Sequence, residues 1–451
     1  MRDGLALRPD AFGETSPSVR AALLVTFVAI VSAFHTHTVW GFGLAGNLYI
    51  ALHFAFTGAM LIAWRCAAFS LNELVWIGVL LRVALVFADP ITSNDSQRYL
   101  WDGAVALAGF DPYLTAPDNP IAADLRAVWP TPPEHAQYPT LYPPAAIGTF
   151  ALAAASGPEW GTWVWKAILA GAGVASLLLM RATLCHYRQD RHFALFALSP
   201  LLVLEAGVGA HLDALLVLAV SIMAYAYAHA RWKLLGGALG WSVCVKFSPI
   251  VVLVPLFWLL RRADFARVAI AAFGVIVAIY GAALLMGLTP IGILPTFFEK
   301  WRGGSPLFAA LDAGLDGYAL LMASALFAAF GLLLSALLAR RNQAALACTL
   351  ALSVPLIVSP VVFPWYLCAL VPLLALRPSA TLLVWVTTAP LTYEVLNRWV
   401  GEGVWEPASW PLVVIAGGWA LGLAIDGHSK RVAHAGAALT HFNSSNKEPV
   451  R

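Results

Sequence analysis

Apolar residues fall in long runs along this chain, and polar residues gather in the gaps between them. A membrane-spanning helix needs about 20 mostly apolar residues. Runs of that kind cover about 22–39, 48–64, 74–89, 162–182, 192–208, 212–230, 234–246, 247–261, 266–287, 317–338, 344–359, 363–376, 379–397 and 409–426. Two of them, 234–246 and 363–376, are short and read as half-helices or as parts of their neighbours, so the predicted count is 11 to 14. A further run, 143–157, begins with proline and is short, which suits a shallow or re-entrant segment better than a span. The pattern predicts an all-α polytopic membrane protein. Residues 22–426 form a single transmembrane domain between a polar N-terminal tail (1–21) and a polar C-terminal tail (427–451) expected to be irregular.

Composition supports this. The 451 residues are 60% hydrophobic and 11% charged, with a mean hydropathy of +0.77, whereas soluble domains carry about 25% charged residues. A core in water cannot absorb that much apolar surface, and lipid can. A net charge of +3 is too small to suggest nucleic-acid binding. The cysteines at 66, 185, 244, 348 and 368 lie in or beside separate apolar runs without CxxC spacing, and indicate neither a disulfide framework nor a metal site. The polar stretch before the first run is too long for a typical signal peptide, so that run is expected to be retained as a helix.

Charge sets the orientation. Arg2, Arg8, Arg20, Arg65, Arg181, Arg188, Arg191, Arg231, Lys233, Arg261, Arg262, Arg267, Arg340, Arg341, Arg377, Lys430 and Arg431 recur between alternate runs. Placing them in the cytoplasm closes the topology with both termini inside, provided that 143–157 does not span. The outer side then holds residues 90–161, by far the longest loop. It carries Asp95, Asp102, Asp111, Asp118, Asp124 and Glu134 against Arg98 and Arg126. Its prolines and aromatics argue for ordered structure.

The loop opens with "SNDSQRYLWDGAVALAGFDPY". Ser93 or Asn94 is a plausible N-cap and Gly109 a plausible stop, which predicts a helix of about 14 residues. Asp95, Arg98, Tyr99 and Asp102 follow i, i+3, i+4, i+7 spacing and share one face. One reading is a solvated helix with Arg98 paired to Asp102, an arrangement nearly neutral in energy. The other is a carboxylate at a membrane-surface cavity, acting as a general base toward an alcohol or as a metal ligand. Composition leaves base and ligand open. No cofactor is demanded, and a divalent cation stays an alternative.

Further charges lie at outward ends of later runs. Glu205, His211 and Asp213 sit around "GVGAHLDALLVL"; His211 and Asp213 can share a helix face only if the helix begins between them. Lys246 lies inside an apolar run before a Ser-Pro break. Ionisable groups at such depth are costly and face a cavity or a partner. Lys246 suits a lipid phosphate as a point charge, with snorkelling to the interface as the alternative. Lys300 and Arg302, on either side of Trp301, break the inside bias, and Arg suits phosphate. Trp365 and Tyr366 fall where an aromatic belt is routine.

In order, "NDSQRYLWDG", "AGFDPY", "YPTLYPPAA", "GAHLDALLVL", "ALGWSVCVKFSPIVVLVPL", "FFEKWRGGSPLF" and "FPWYLCALVPLLAL" resemble bacterial GT-C glycosyltransferases, closest to mannosyltransferase-like enzymes that use polyprenyl-phosphate sugars. The resemblance covers about residues 74–380. It implies a hexosyltransferase, with mannose as the sugar. The lipid-linked donor would lie between helices in the bacterial cytoplasmic membrane, with its sugar at the outer face, beside a glycan, lipid or protein acceptor. It implies Asp95 as the base in an inverting transfer and Asp102 as a second carboxylate or a structural partner of Arg98. Lys246, Arg302 and Lys300 would meet the donor phosphate. Trp101, Tyr113, Tyr142, His211, Asp213, Trp301, Trp365 and Tyr366 would be substrate-side groups with Arg98. The sequence departs from the family pattern at Asn94, where an acid is common, and at Gly303–Gly304, where a bulkier aromatic–Asn pair is usual. The rival reading is a transporter or lipid flippase that runs ions past Glu205, His211, Asp213 and Lys246.

Overall fold

The computed structural model describes residues 15–36, 45–131 and 135–445. Glu134, Arg2 and Arg8 lie outside them. Every named element among the described residues is helical, and the one β contact is an isolated bridge between Gly303 and Val361. The protein is an all-α polytopic membrane protein. Among the described residues, six helices are long and apolar enough to cross a bilayer: α1 (Pro17–His35), α2 (Ala45–Arg65), α7 (Gly161–His186), α13 (Arg262–Leu285), α16 (Gly317–Arg340) and the first part of α21 (Trp410–Ser445).

The other predicted runs are built from shorter or broken pieces. The run 74–89 is α3 (Leu71–Ala84), started by a Ser70–Glu73 capping box and extended by a turn of 3-10 helix. The run 192–208 breaks at Ser199–Pro200 into α8 (Phe193–Ala197) and α9 (Pro200–Gly207). Next come α10 (Asp213–Ala228), α11 (Trp232–Val245) and α12 (Leu253–Leu259), the last entered through a 3-10 turn. The remainder are α17 (Ala344–Ile357), α18 (Val371–Leu376), α19 (Ala380–Thr388) and α20 (Leu396–Glu402), with 3-10 segments leading into α18 and α20. Proline sits at each of those 3-10 entries, where its ring and missing N–H cannot continue a regular helix. The tail expected to be irregular after Gly427 instead prolongs α21 to Ser445. No proline or glycine interrupts residues 429–435, so nothing in the sequence there stops a helix.

The long loop is ordered as α4 (Asp95–Leu107), α5 (Ala123–Val128) and α6 (Pro144–Ala154). With 11 residues, α6 is about 16 Å long, about half of what a span needs. It packs along α4, and the contact is close enough that a Cβ at Gly103 would run into the Phe150 backbone. The second polar loop carries α14 (Leu294–Lys300) and α15 (Pro306–Asp312). It is tied down on the first loop where Asp111 accepts from the Thr289 backbone N–H (2.8 Å) and hydroxyl (2.7 Å).

Basic residues gather at the end of the bundle away from these loops. There Arg20 bonds Glu73, Arg181 bonds Asn72 (2.8 Å), and Arg377 reaches Gln343 (3.3 Å). Asp426 caps the start of α19 through Ser379, Ala380 and Thr381. At the opposite end the helix termini surround a large cavity.

Candidate functional site

The cavity has a volume of about 1660 Å³ and lies between the two polar loops and the broken helices. One wall is the start of α4. Asn94 is the N-cap residue but makes no side-chain cap; Ser93 Oγ accepts from the Asp95 N–H instead (3.2 Å). Gly109, at φ +81°, follows the C-cap Ala108 and ends the helix as its sequence position implied. Asp95 is thereby held in the first turn, where the helix dipole favours a carboxylate. Its side chain is 31% exposed and so reachable from the cavity. Oδ2 accepts from the Tyr99 hydroxyl (3.3 Å) and lies 3.5 Å from His211 Nδ1. Tyr99 is fixed from below by stacking on Phe150 of α6 (centroids 4.6 Å apart).

One helical turn on, Arg98 lines the cavity and ties the loop together. Its Nε donates to Asp102 Oδ1 (2.8 Å) and its Nη2 to the Tyr138 carbonyl (2.9 Å). Asp102 itself is fully buried, with the Thr140 hydroxyl beside it. Burial pushes its carboxyl above the ordinary carboxylate range, with Arg98 and Thr140 acting the other way. The pair is thus a partly buried strut, not the solvated surface pair that spacing alone allows.

His211 and Asp213 do share a side of the structure, because α10 begins between them, at Asp213. The turn before it is tight: Ala210 adopts φ +53°, and its carbonyl accepts from Trp165 Nε1 (2.8 Å). A non-glycine residue in that region costs about 1–3 kcal/mol and marks a position the surroundings enforce. Asp213 is buried and accepts from Lys246 Nζ (2.9 Å). Lys246 is the extended residue at which α11 ends, and its ammonium sits 3.5 Å from the Tyr366 ring centroid. Its side chain keeps 25% exposure, enough to reach the cavity while the pair remains fixed. The Ser-Pro break therefore aims a lysine into the site.

The far wall comes from the second loop. Gly303 and Gly304 (φ +148° and +74°) let it pair with the 360–362 strand-like turn: Gly303 N–H donates to the Pro360 carbonyl (3.0 Å) and Val362 N–H to the Gly303 carbonyl (2.8 Å). A Cβ on Gly304 would collide with the Val362 carbonyl. The departure from the family pattern at this pair is thus a close backbone contact. It presents Lys300, Trp301 and Arg302 to the cavity. Trp301 packs on Phe297 (5.0 Å), Tyr138 (5.4 Å) and His135 (4.7 Å). Lys300 donates to the Tyr138 hydroxyl (2.8 Å), which holds that phenol below its ordinary value and the lysine above its own. Arg302 lies 3.8 Å from Asp312.

Most of the residues singled out in the sequence meet here. Asp95, Arg98, Tyr142, Lys246, Lys300, Trp301, Arg302, Trp365 and Tyr366 line the cavity. Asp102, His211 and Asp213 lie directly behind that lining. Two do not join it. Trp101 is fully buried with Val105 and Ala122, on the side of α4 turned away. Tyr113 is buried in the main core. Helical spacing put Trp101 near Asp95 in sequence but on another face. Trp365 is no belt residue: it is buried and stacks flat on His211 (3.6 Å, 12°). Sequence reasoning passed over Tyr138, Thr92, Phe363 and Tyr393, which also line the cavity. Tyr138 lies in the quoted "YPTLYPPAA" motif and Phe363 opens the quoted "FPWYLCALVPLLAL" motif, whereas Thr92 and Tyr393 carry no local signal. Among the described residues, no group of three or more His, Cys, Asp or Glu is placed to hold a metal ion. Asn94 offers no second carboxylate beside Asp95, and Asp102 is committed to Arg98. These residues do not form a ligand set.

A family model described as alpha-(1->6)-mannopyranosyltransferase, N-terminal domain, matches residues 7–262, more than half of the chain. The chain belongs to this alpha-(1->6)-mannopyranosyltransferase family. It is a glycosyltransferase, with a sugar donor and a glycan acceptor as its substrates. That membership decides against the transporter reading. The matched part of the mannosyltransferase holds Asp95, Arg98, Asp102, His211, Asp213 and Lys246; Lys300–Arg302 and Trp365 lie beyond it. No curated protein and no solved structure matches the chain.

Proposed function

We propose that the mannosyltransferase is a GT-C type enzyme of the bacterial cytoplasmic membrane. It moves mannose from a polyprenyl-phosphate donor to an acceptor hydroxyl at the outer face, with inversion. The observation that carries this reading is the composition of one cavity. A reachable carboxylate (Asp95), cations from two elements (Lys246 and Lys300) and an apolar flank (Ile250, Leu294, Phe298, Leu356) open onto the same space. A lipid-linked sugar phosphate needs all three. The basic residues at the other end of the bundle orient that space outward.

In this reading Asp95 Oδ accepts the proton of the acceptor hydroxyl as the oxygen attacks the anomeric carbon. The carbon–oxygen bond to phosphate breaks, and its electron pair leaves with the polyprenyl phosphate. Lys246 is neutralised by Asp213, so it offers hydrogen bonds more than net charge. Among the described residues, Lys300 has no carboxylate at ion-pair distance and supplies the charge that offsets the leaving phosphate. Arg302 adds donors beside it. Trp301 and Tyr142 are placed to contact the sugars. A family named for alpha-(1->6) transfer forms an α product, so inversion requires a β-linked donor phosphate, and the (1->6) linkage makes the acceptor group a sugar's 6-hydroxyl.

The purified protein in liposomes, given a mannose acceptor and either β-linked polyprenyl-phosphate mannose or a nucleotide-activated mannose, tests this. The expected product is α-linked by NMR and formed only from the lipid donor. Transfer from the nucleotide donor, or a β-linked product, contradicts the reading.

A further inference from the structure

A base that has taken a proton must lose it before the next turnover, and behind Asp95 lies an arrangement suited to that. His211 is fully buried between two carboxylates: Nδ1 is 3.5 Å from Asp95 Oδ2, and Nε2 is 3.6 Å from Glu205 Oε2. Glu205 is buried as well, and its two oxygens accept from the hydroxyls of Tyr49 and Tyr393 (2.8 Å each). It is thus fixed from α2 and from the segment before α20. Thr92 Oγ1 lies 3.4 Å from Nε2, whereas Nδ1 has no hydrogen-bond partner among the described residues. The tautomer that fits carries its proton on Nε2, toward Glu205 and Thr92, and leaves the Nδ1 lone pair facing Asp95. The ring lies flat on Trp365, whose face favours a cation.

We infer that His211 is the positioning residue that relieves Asp95 of its proton, with Glu205 as the buried anion that holds the imidazole for this task. The inference rests on Asp95 being the base. During transfer the acceptor proton goes to Asp95. It then passes from Asp95 Oδ2 to His211 Nδ1, which leaves a carboxylate and an imidazolium, with no net gain or loss of protons. The imidazolium sits between two anions and on an indole face, where its charge is compensated without water. The transfer restores the Asp95 carboxylate for the next turnover, with the imidazolium held between it and Glu205. The imidazolium then gives up a proton from Nε2 to solvent through Thr92, whose hydroxyl lies 3.4 Å away and which lines the cavity. Asp95 faces the ring from α4, with the Tyr99 hydroxyl on its carboxylate, and Glu205 faces it from α9. Asp213 and Arg82 border a water-sized space of about 10 Å³ behind it.

The test is the pH profile of kcat in His211→Gln and Glu205→Gln, with Asp95→Asn in parallel. In the native enzyme, kcat falls on the acid side as His211 becomes occupied by a proton. His211→Gln is expected to lower kcat about 100-fold with the donor KM little changed, and to abolish that acid limb. Glu205→Gln removes one flanking anion, so the imidazolium holds its proton less tightly and the limb moves to lower pH. A His211→Gln enzyme that keeps the limb, or that works within twofold of native, overturns the relay. If His211→Gln does not fold, an unmoved limb in Glu205→Gln overturns it equally. Transfer by Asp95→Asn at the native rate removes the base reading, and the relay with it. An inactive Asp95→Asn beside an unaltered limb in the histidine variant removes the relay alone.

Discussion

Arg98 and Asp102 are one strut with unequal ends. Arg98 reaches the cavity and can be hydrated, whereas Asp102 cannot. Removing the arginine therefore leaves a buried carboxylate without its counter-charge, at a cost of about 3–5 kcal/mol. Because burial already raises the Asp102 carboxyl, Arg98→Met will fold with that group protonated. The penalty grows as pH rises above the unfolded carboxylate value, where the unfolded chain releases a proton that the folded one keeps. The melting temperature of Arg98→Met in detergent should fall with rising pH relative to native, and Asp102→Asn should show no such trend. Lys246 and Asp213 pose the same problem deeper in the fold. Lys246→Met alone should be strongly destabilised. The double variant Lys246→Met/Asp213→Asn should regain most of the melting temperature but none of the transfer activity, because stability needs the pair neutral while transfer needs the ammonium. The i, i+3, i+4, i+7 pattern made the polar face of α4 legible in the sequence, and the depth of Lys246 in an apolar run marked it as unusual. The partner of each charge was not legible. Asp95 to His211 and Lys246 to Asp213 are contacts between distant parts of the chain that no local pattern encodes.

The helices that carry the site are short, and short for a reason. Proline and small residues break the runs near the cavity, so that helix ends with their polar side chains face it. Hydropathy located these runs well, and it made 234–246 and 363–376 visibly short. It did not reveal that the second loop is zipped to the 360–362 turn, because Gly303–Gly304 reads in sequence as mere punctuation. Gly304→Ala places a Cβ against the Val362 carbonyl in a left-handed backbone conformation. It should withdraw Trp301 and raise the donor KM severalfold, with little change in melting temperature. Gly103→Val wedges α4 from α6. Overpacking of this kind costs about 1–3 kcal/mol and tilts Asp95, so stability and kcat should fall together. Thermal melts and steady-state kinetics on the two variants distinguish a local loop effect from a displaced helix.

Across the whole molecule, positive charge at one end and a cavity at the other give the chain a direction. The alternation of Lys and Arg between runs makes that direction readable in the sequence, given that the run holding α6 is too short to span. The C-terminal tail was misread because polarity alone does not end a helix. Asp118→Cys, exposed in the long loop, should react with a membrane-impermeant maleimide in intact cells, whereas the native Cys185, exposed at the basic end, should react only after permeabilisation. The reverse labelling would turn the enzyme over in the membrane. The role of Asp95 as the group that takes the acceptor's proton is central to transfer. Its most direct test is mannose transfer by purified Asp95→Asn in liposomes supplied with polyprenyl-phosphate mannose, at a melting temperature matched to native. The variant is predicted to fold, to bind the donor, and to lose transfer by about 100-fold or more; transfer at the native rate would contradict the account.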